Sequence, residues 1–388
     1  VRNFVILISV WEFIGRMDWV AGGALPGLSE ILIQLWIDRA DYPLHIWATV
    51  YASGLGFLIG NVLAIVAGIA FVLSPTLLRL MRGVNIAIFA LPPIAIAPIL
   101  VLTLSGMAPR VTLAALGVYF VTMSATVIGL SQYDSRSADL VRAYGGGNWL
   151  ILKLVRVRGA IPDILSGLRI AAPNAVLGAI LAEFGGGGRW GLGTYLLGSL
   201  GRGDPARLWG IGLVATLIAG LSYAVFALIS SRISGSTRSV ALNTAIPSSH
   251  ASDAFSRATQ ALILCGTVAL PFILWWAFIR LTGVPDLIAK TPFGVFDYLF
   301  LSDTSAIARG KLMEALGQTL PIAAVGMIAG LAFAFLLAIS SRIFPGFIKA
   351  FMPIALVTQT MPLVALTPLL VLILGRGYSV TLWITISV

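Results

Sequence analysis

The chain is poor in the residues that do chemistry. Its 388 residues include one cysteine, Cys265, which lies in an apolar run and can form no disulfide within the chain. The two histidines, His45 and His250, are far apart, and no carboxylate cluster has metal-ligand spacing, so zinc sites and nucleophilic active sites find no support. No glycine-rich loop followed by Lys and Ser or Thr is present, which excludes a phosphate-binding loop; the glycine run Gly185 to Gly188 sits at a helix end on the outer side, beyond reach of cytosolic nucleotide. The expectation is a chain with no catalytic residues, no metal and no cofactor of its own.

Charge is equally scarce, at 10% of residues, whereas 59% are hydrophobic. The apolar residues form runs long enough to cross a bilayer core, which needs about 20 helical residues. In lipid every backbone amide and carbonyl must be paired internally, and the runs lack the alternation of barrel strands, so the spans are helices. The fold class is therefore all-α, a polytopic helical membrane protein set in a lipid bilayer. A net charge of +10 would raise the question of anionic partners in a soluble protein. Here topology explains it, because cytosolic loops of membrane proteins collect Lys and Arg, and no nucleic-acid partner is implied.

Phe4 to Ile14 is too short to span although Arg16 closes it, so a first helix is expected to begin before Val1. Further spans are predicted over residues 45–73, 84–104, 111–130, 164–184 and 208–230, which completes a first six-helix unit over residues 1–230. Residues 231–260, rich in Ser, Thr and Ala without apolar period, read as a cytosolic linker. A second, incomplete unit follows over residues 261–388, with spans at 261–281, 312–339, 355–374 and from 380 onward. Arg79 and Arg82, then Arg136 to Arg158, then Arg232, Arg238 and Arg257 fall in alternate loops, which places those loops in the cytosol.

An ungapped shift of 270 positions pairs Thr49 with Thr319, Gly56 with Gly326, Gly60 with Gly330 and Pro75 with Pro345. The match continues as Pro92, Ala95 and Pro98 fall on Pro362, Ala365 and Pro368. Gly and Pro recur for backbone reasons rather than hydrophobicity, so the coincidence signals an internal repeat. A period of six spans is even, and the second copy must enter the membrane the same way round as the first. Many ion-driven secondary transporters instead use inverted repeats, although parallel ones occur there too, so that class stands as the alternative.

Gly56 and Gly60 lie four apart on one helix face and would let another helix approach closely. Pro92, Pro93 and Pro98 bend or loosen a helix, either to shape packing or to line a pathway; Pro362 and Pro368 stand in the second copy. Glu183, at the end of an apolar span, is a pathway candidate or an interfacial carboxylate bonded to the glycine-rich amides that follow. Asn174 and Glu12 are further candidates, for the pathway or for helix-to-helix hydrogen bonding.

The most polar loop, residues 131–163, is cytosolic. Ser137 can cap a short helix with Asp139 near its start, and Gly145 to Gly147 would end it. Leu140, Val141 and Tyr144 would cluster on one face, an apolar knob offered to a partner or folded back on the bundle or lipid interface.

The segment Ala138-Asp139-Leu140-Val141-Arg142-Ala143-Tyr144-Gly145, followed by Ile161-Pro162 and by Ile164 to Ile170, resembles the Glu-Ala-Ala loop of ABC importer permeases. Leu91 to Pro98, Ala182-Glu183-Phe184 and Gly191-Leu192-Gly193 resemble the nitrate, sulfonate and taurine branch. Asp139-Leu140-Val141 departs from the usual Glu-Ala-Ala by keeping the acid and enlarging both small residues. The resemblance implies a permease of the bacterial cytoplasmic membrane, with a coupling helix that includes Asp139, Leu140, Val141, Tyr144, Gly145, Ile161 and Pro162. It implies two ATPase subunits that bind ATP and magnesium, an extracytoplasmic substrate-binding protein, and a small anionic cargo such as nitrate, sulfonate or taurine. An offset of 270 from Asp139 is position 409, so a second coupling loop is expected beyond Val388.

Overall fold

A computed structural model describes residues 2–18, 23–234 and 257–343, with two residues each at 370–371 and 382–383. Most of the expected linker, the two last spans, Pro362 and Pro368 lie outside the described residues. Among the described residues there are helices and no strand. In chain order they are α1 (Arg2–Arg16), α2 (Leu28–Ile37), α3 (Tyr42–Leu73), α4 (Pro75–Ala90), α5 (Pro93–Thr103), α6 (Ala108–Ser131), α7 (Ser135–Ala143), α8 (Asn148–Ile151), a π-turn (Leu152–Arg156), α9 (Val157–Phe184), α10 (Leu192–Leu200), α11 (Pro205–Ser234), α12 (Arg257–Thr282), α13 (Pro292–Phe296), a second π-turn (Asp297–Leu301) and α14 (Ser305–Ile343). Six of these stretches are long and apolar enough to cross a membrane, or seven if the bent pair α4 and α5 counts as one span. The all-α polytopic expectation holds.

The span expected over residues 84–104 is instead broken into α4 and α5, which meet at 93°. Leu91 and Pro92 are both extended, with ψ of 119° and 118°. Each precedes a proline, whose ring excludes the helical conformation of the residue before it. Two such restrictions in succession stop α4, and Pro93 restarts the helix at its first position, where a missing N–H costs nothing. The span expected from Ile164 also starts earlier, because α8, the π-turn and α9 run on as one helical stretch, Asn148–Phe184.

The described residues within Val50–Gly187 and Leu221–Pro292 form one compact group; those within Val1–Thr49, Gly188–Gly220 and Phe293–Val388 form another. In the first group α6 and α9 make the central pair. Ala114 and Val118 pack on Ala171, Ala175 and Ala179, with Ala52 of α3 beside them. Small residues decide these distances. A Cβ on Gly178 would meet the Leu113 carbonyl oxygen at 2.7 Å, and one on Gly60 would meet that of Ala115 at 2.6 Å. Gly56 faces Ala114 in the same way, so the expected close approach at Gly56 and Gly60 is the contact of α3 with α6. Gly60→Leu should therefore cost at least about 1–3 kcal/mol of overpacking, read as a lower unfolding temperature of the purified protein. Gly54→Leu, with nothing within 4 Å of an added Cβ, should leave it unchanged.

The same group holds α12 against α4. The Thr267 hydroxyl donates to the Arg79 carbonyl at 2.9 Å, and a Cβ on Gly83 would lie 2.1 Å from the Thr267 carbonyl oxygen. The first helix after the expected linker thus packs on the first half of the broken span.

In the second group Arg207 donates twice to Asp38, at 2.7 Å each, and Gln34 adds a bond of 2.9 Å. Burial opposes ionisation of Asp38, but the bonds from Arg207 and Gln34 outweigh it and hold the carboxyl below its usual range. His45 stacks on Tyr195 and meets the Gly191 backbone through Nδ1, while the Thr49 hydroxyl accepts from the Leu192 amide.

Candidate functional site

The short helix α7 is closed at both ends by local chemistry. Asp134, not Ser137, is its N-cap: the carboxylate accepts from the amides of Arg136 and Ser137, at 3.1 and 3.3 Å, and from the Ser137 hydroxyl at 2.8 Å. The Ser137 hydroxyl, then the Arg136 amide, stabilise its charged form and lower its pKa. Ser137 lies inside the first turn, so a serine expected to accept from the helix donates to the true cap. At the other end Gly145 has φ of 82°, its amide donates to the Arg142 carbonyl, and the Gly146 amide donates to Val141, both at 2.8 Å. That paired pattern satisfies orphan carbonyls and requires a residue free to enter the left-handed region.

The knob faces outward, but with one member fewer than expected. Leu140 is 60% exposed and Tyr144 87% exposed, so neither folds back on the described bundle. Val141 is half-buried and does not share that face, while Ala138 is fully buried beneath α7. Asp139 is exposed and paired with Arg142 at 2.7 Å, one turn along the same helix. Trp149 and Ile161 extend the exposed apolar surface, and Pro162, also exposed, sits within α9 rather than in a loop. Behind the knob, Arg156 donates to the Tyr133 hydroxyl at 3.1 Å and lies 4.2 Å from that ring's centroid, tying the loop to the π-turn.

A second site lies where α4 breaks. A cavity of 240 Å³ opens there, lined by Phe89, Leu91, Pro93, Phe120 and Asn174 among others. The structure thus brings two predicted features together, the proline break and Asn174. Pro92 forms the break without lining the cavity, and Pro98 is exposed on α5 away from it. Phe89 and Phe120, with ring centroids 4.4 Å apart, were not singled out by the sequence. A neighbouring cavity of 400 Å³ shares Ile88 and Leu116 and includes Tyr119, whose hydroxyl donates to Asn85. Neither cavity is lined by Lys, Arg or His, so the expected anionic cargo meets no cation in them.

Glu183 does not line either cavity. It is fully buried at the C-terminal end of α9, 4.0 Å from the Arg110 guanidinium, and Arg110 also donates through Nε to the Gly187 carbonyl. A buried carboxylate demands a charge partner, and the fold supplies one from the start of α6. Glu12 is bonded to Arg16 and to Ser29, an anchor between neighbouring helices. Among the described residues no cluster of His, Cys, Asp or Glu could hold a metal ion.

Residues 60–238, which include α7, the cavity and the Arg110–Glu183 pair, match the family model described as binding-protein-dependent transport system inner membrane component. This stretch belongs to that family. The permease resembles a probable ABC transporter permease protein of Haemophilus influenzae, 26% identical over 193 residues that cover 50% of this chain and 78% of the relative. It is also similar to the formylaminopyrimidine transport permease protein ThiX of Halalkalibacterium halodurans, 26% identical over 57% of this chain and 88% of the relative. A third relative is the putative aliphatic sulfonates transport permease protein SsuC of Bacillus subtilis, 26% identical over 47% of this chain and 67% of the relative. No solved structure matches. The permease is a multi-pass protein of the inner membrane, and its family is a membrane component that works with ATPase and substrate-binding partners.

Proposed function

We propose that the chain carries two parallel permease units that form the translocation path of an ABC importer, with α7 as the handle by which an ATPase moves the first unit. The observation that carries this reading is the outward pair Leu140 and Tyr144 on a helix capped at both ends. An exposed leucine and tyrosine on a fixed cytosolic helix lose water only by docking, and aromatic anchors of this kind dominate interface energies. Asp139, exposed and paired within the helix, supports the docking surface at its edge.

Two ATPases serve the two units and bind the ATP and magnesium; this chain performs no hydrolysis. The recurrence of Gly56, Gly60 and Pro75 as Gly326, Gly330 and Pro345, at an offset of 270 residues, supports the repeat. The units then comprise residues 1–230 and 261–388, joined by the linker, and an extracytoplasmic binding protein delivers the cargo. ATP binding shifts the units between inward- and outward-open arrangements only as far as its differential affinity for the two allows, so the nucleotide-bound ATPases must hold α7 differently in each.

The test places p-benzoylphenylalanine at Tyr144 in the assembled transporter. Irradiation should join the chain to the ATPase, in an amount that changes with ATP. The same probe at Leu58, exposed within the α3 span, should join it to no ATPase. Failure of Tyr144 to capture the ATPase in an assembly that still hydrolyses ATP would overturn the assignment of α7.

A further inference from the structure

We propose that the cavity at the α4–α5 break is a cargo subsite for a neutral, single-ring heteroaromatic molecule; this rests on the permease reading above and narrows its substrate class. The first ground is Asn174. It is the one residue with a polar side chain among those lining the 240 Å³ cavity, and its side-chain amide makes no hydrogen bond to any other described residue. Asn174 is only half-buried, so its amide borders the cavity space with a donor and an acceptor to offer to what enters it.

The second ground is charge. A sulfonate or nitrate, or a zwitterion with a carboxylate, brings an anion that needs a cation or several donors in a low-dielectric site. The cavity lining holds neither. Arg110 is engaged with Glu183 and the Gly187 carbonyl, and Arg169 with the Tyr223 hydroxyl and ring. The adjoining cavity adds only the hydroxyls of Thr112 and Tyr119.

The third ground is shape and size. Phe89 and Phe120, tilted by 32° with centroids 4.4 Å apart, present flat apolar surface suited to offset packing against another ring. The cavity volume of 240 Å³ corresponds to roughly eight waters at liquid density, the scale of one substituted ring. A ring nitrogen beside an exocyclic amine pairs acceptor with donor, the complement of the Asn174 amide.

The experiment reconstitutes the full-length chain with its ATPase and binding protein in liposomes and offers three probes: 4-amino-2-methylpyrimidine, taurine and carnitine. ATP-driven accumulation of the aminopyrimidine alone is expected. Asn174→Leu should lower it by about tenfold, the equivalent of one lost hydrogen bond at 1.4 kcal/mol, and Asn174→Gln, which keeps the amide, should restore part of it. Accumulation of taurine or carnitine in its place, aminopyrimidine uptake indifferent to Asn174→Leu, or no uptake of any probe would overturn the cargo class and leave the permease reading standing. Uptake of the aminopyrimidine driven by an ion gradient and indifferent to ATP would overturn the permease reading instead.

Discussion

Replacing Leu140 and Tyr144 together by glutamate should abolish the response of ATP hydrolysis to cargo, while the chain still reaches the membrane in folded form. Both side chains are exposed on α7, so the substitutions leave no cavity and bury no charge in the free permease. In the assembled transporter the same positions would sit against the ATPase, where each central anchor contributes about 2 kcal/mol or more. Each loss is worth roughly thirtyfold in affinity, and a buried carboxylate adds a desolvation cost. Asp139→Ala is the contrast. Its exposed pair with Arg142 is worth only about 0–1 kcal/mol, so coupling should fall little. Hydrolysis by the purified assembly, with and without loaded binding protein, measures both. An undiminished response in the double variant would sink the docking surface.

The second large effect belongs to Arg110. Arg110→Ala leaves Glu183 fully buried without its cation, and breaking such a pair from one side costs about 3–5 kcal/mol. It also frees the Gly187 carbonyl that Arg110 holds. The folded fraction recovered from membranes, and its unfolding temperature, should drop sharply. The double change Arg110→Met with Glu183→Leu should recover much of the loss, because two apolar side chains of similar volume need no partner. If the double variant is no better than Arg110→Ala, the pair is not what stabilises the C-terminal end of α9.

The spans were legible because a bilayer needs long apolar runs, and α3, α6, α11, α12 and α14 fall where those runs lie. Gly56 and Gly60 announced the contact with α6, since missing side chains are a statement about approach that survives without coordinates. The end of α7 was equally local, written in Gly145. Pro92, Pro93 and Pro98 were read as bending or loosening one span, but not as ending it at Leu91: the apolar run continues through the break, and hydrophobicity outweighed the restriction that successive prolines impose. The cap was misassigned because Asp134 and Ser137 are both competent acceptors, and only the path of the preceding chain decides between them. Glu183 could not be placed by any local rule. Its partner is 73 positions away, and the pairing of α6 with α9 that joins them is a tertiary fact. For the same reason Asn174 was named without the aromatic pair that shares its cavity.

The stretch Asn148–Phe184 runs unbroken for 37 residues, a shaft about 55 Å long at the usual helical rise. Trp149 stands at one end, Asn174 along its length and Glu183 near the other. On the proposed reading, a docked ATPase would act beside Trp149, on the same helical stretch that carries Asn174 and Glu183. The π-turn at Leu152–Arg156, with Pro162 and Pro173, marks where that stretch can bend between them.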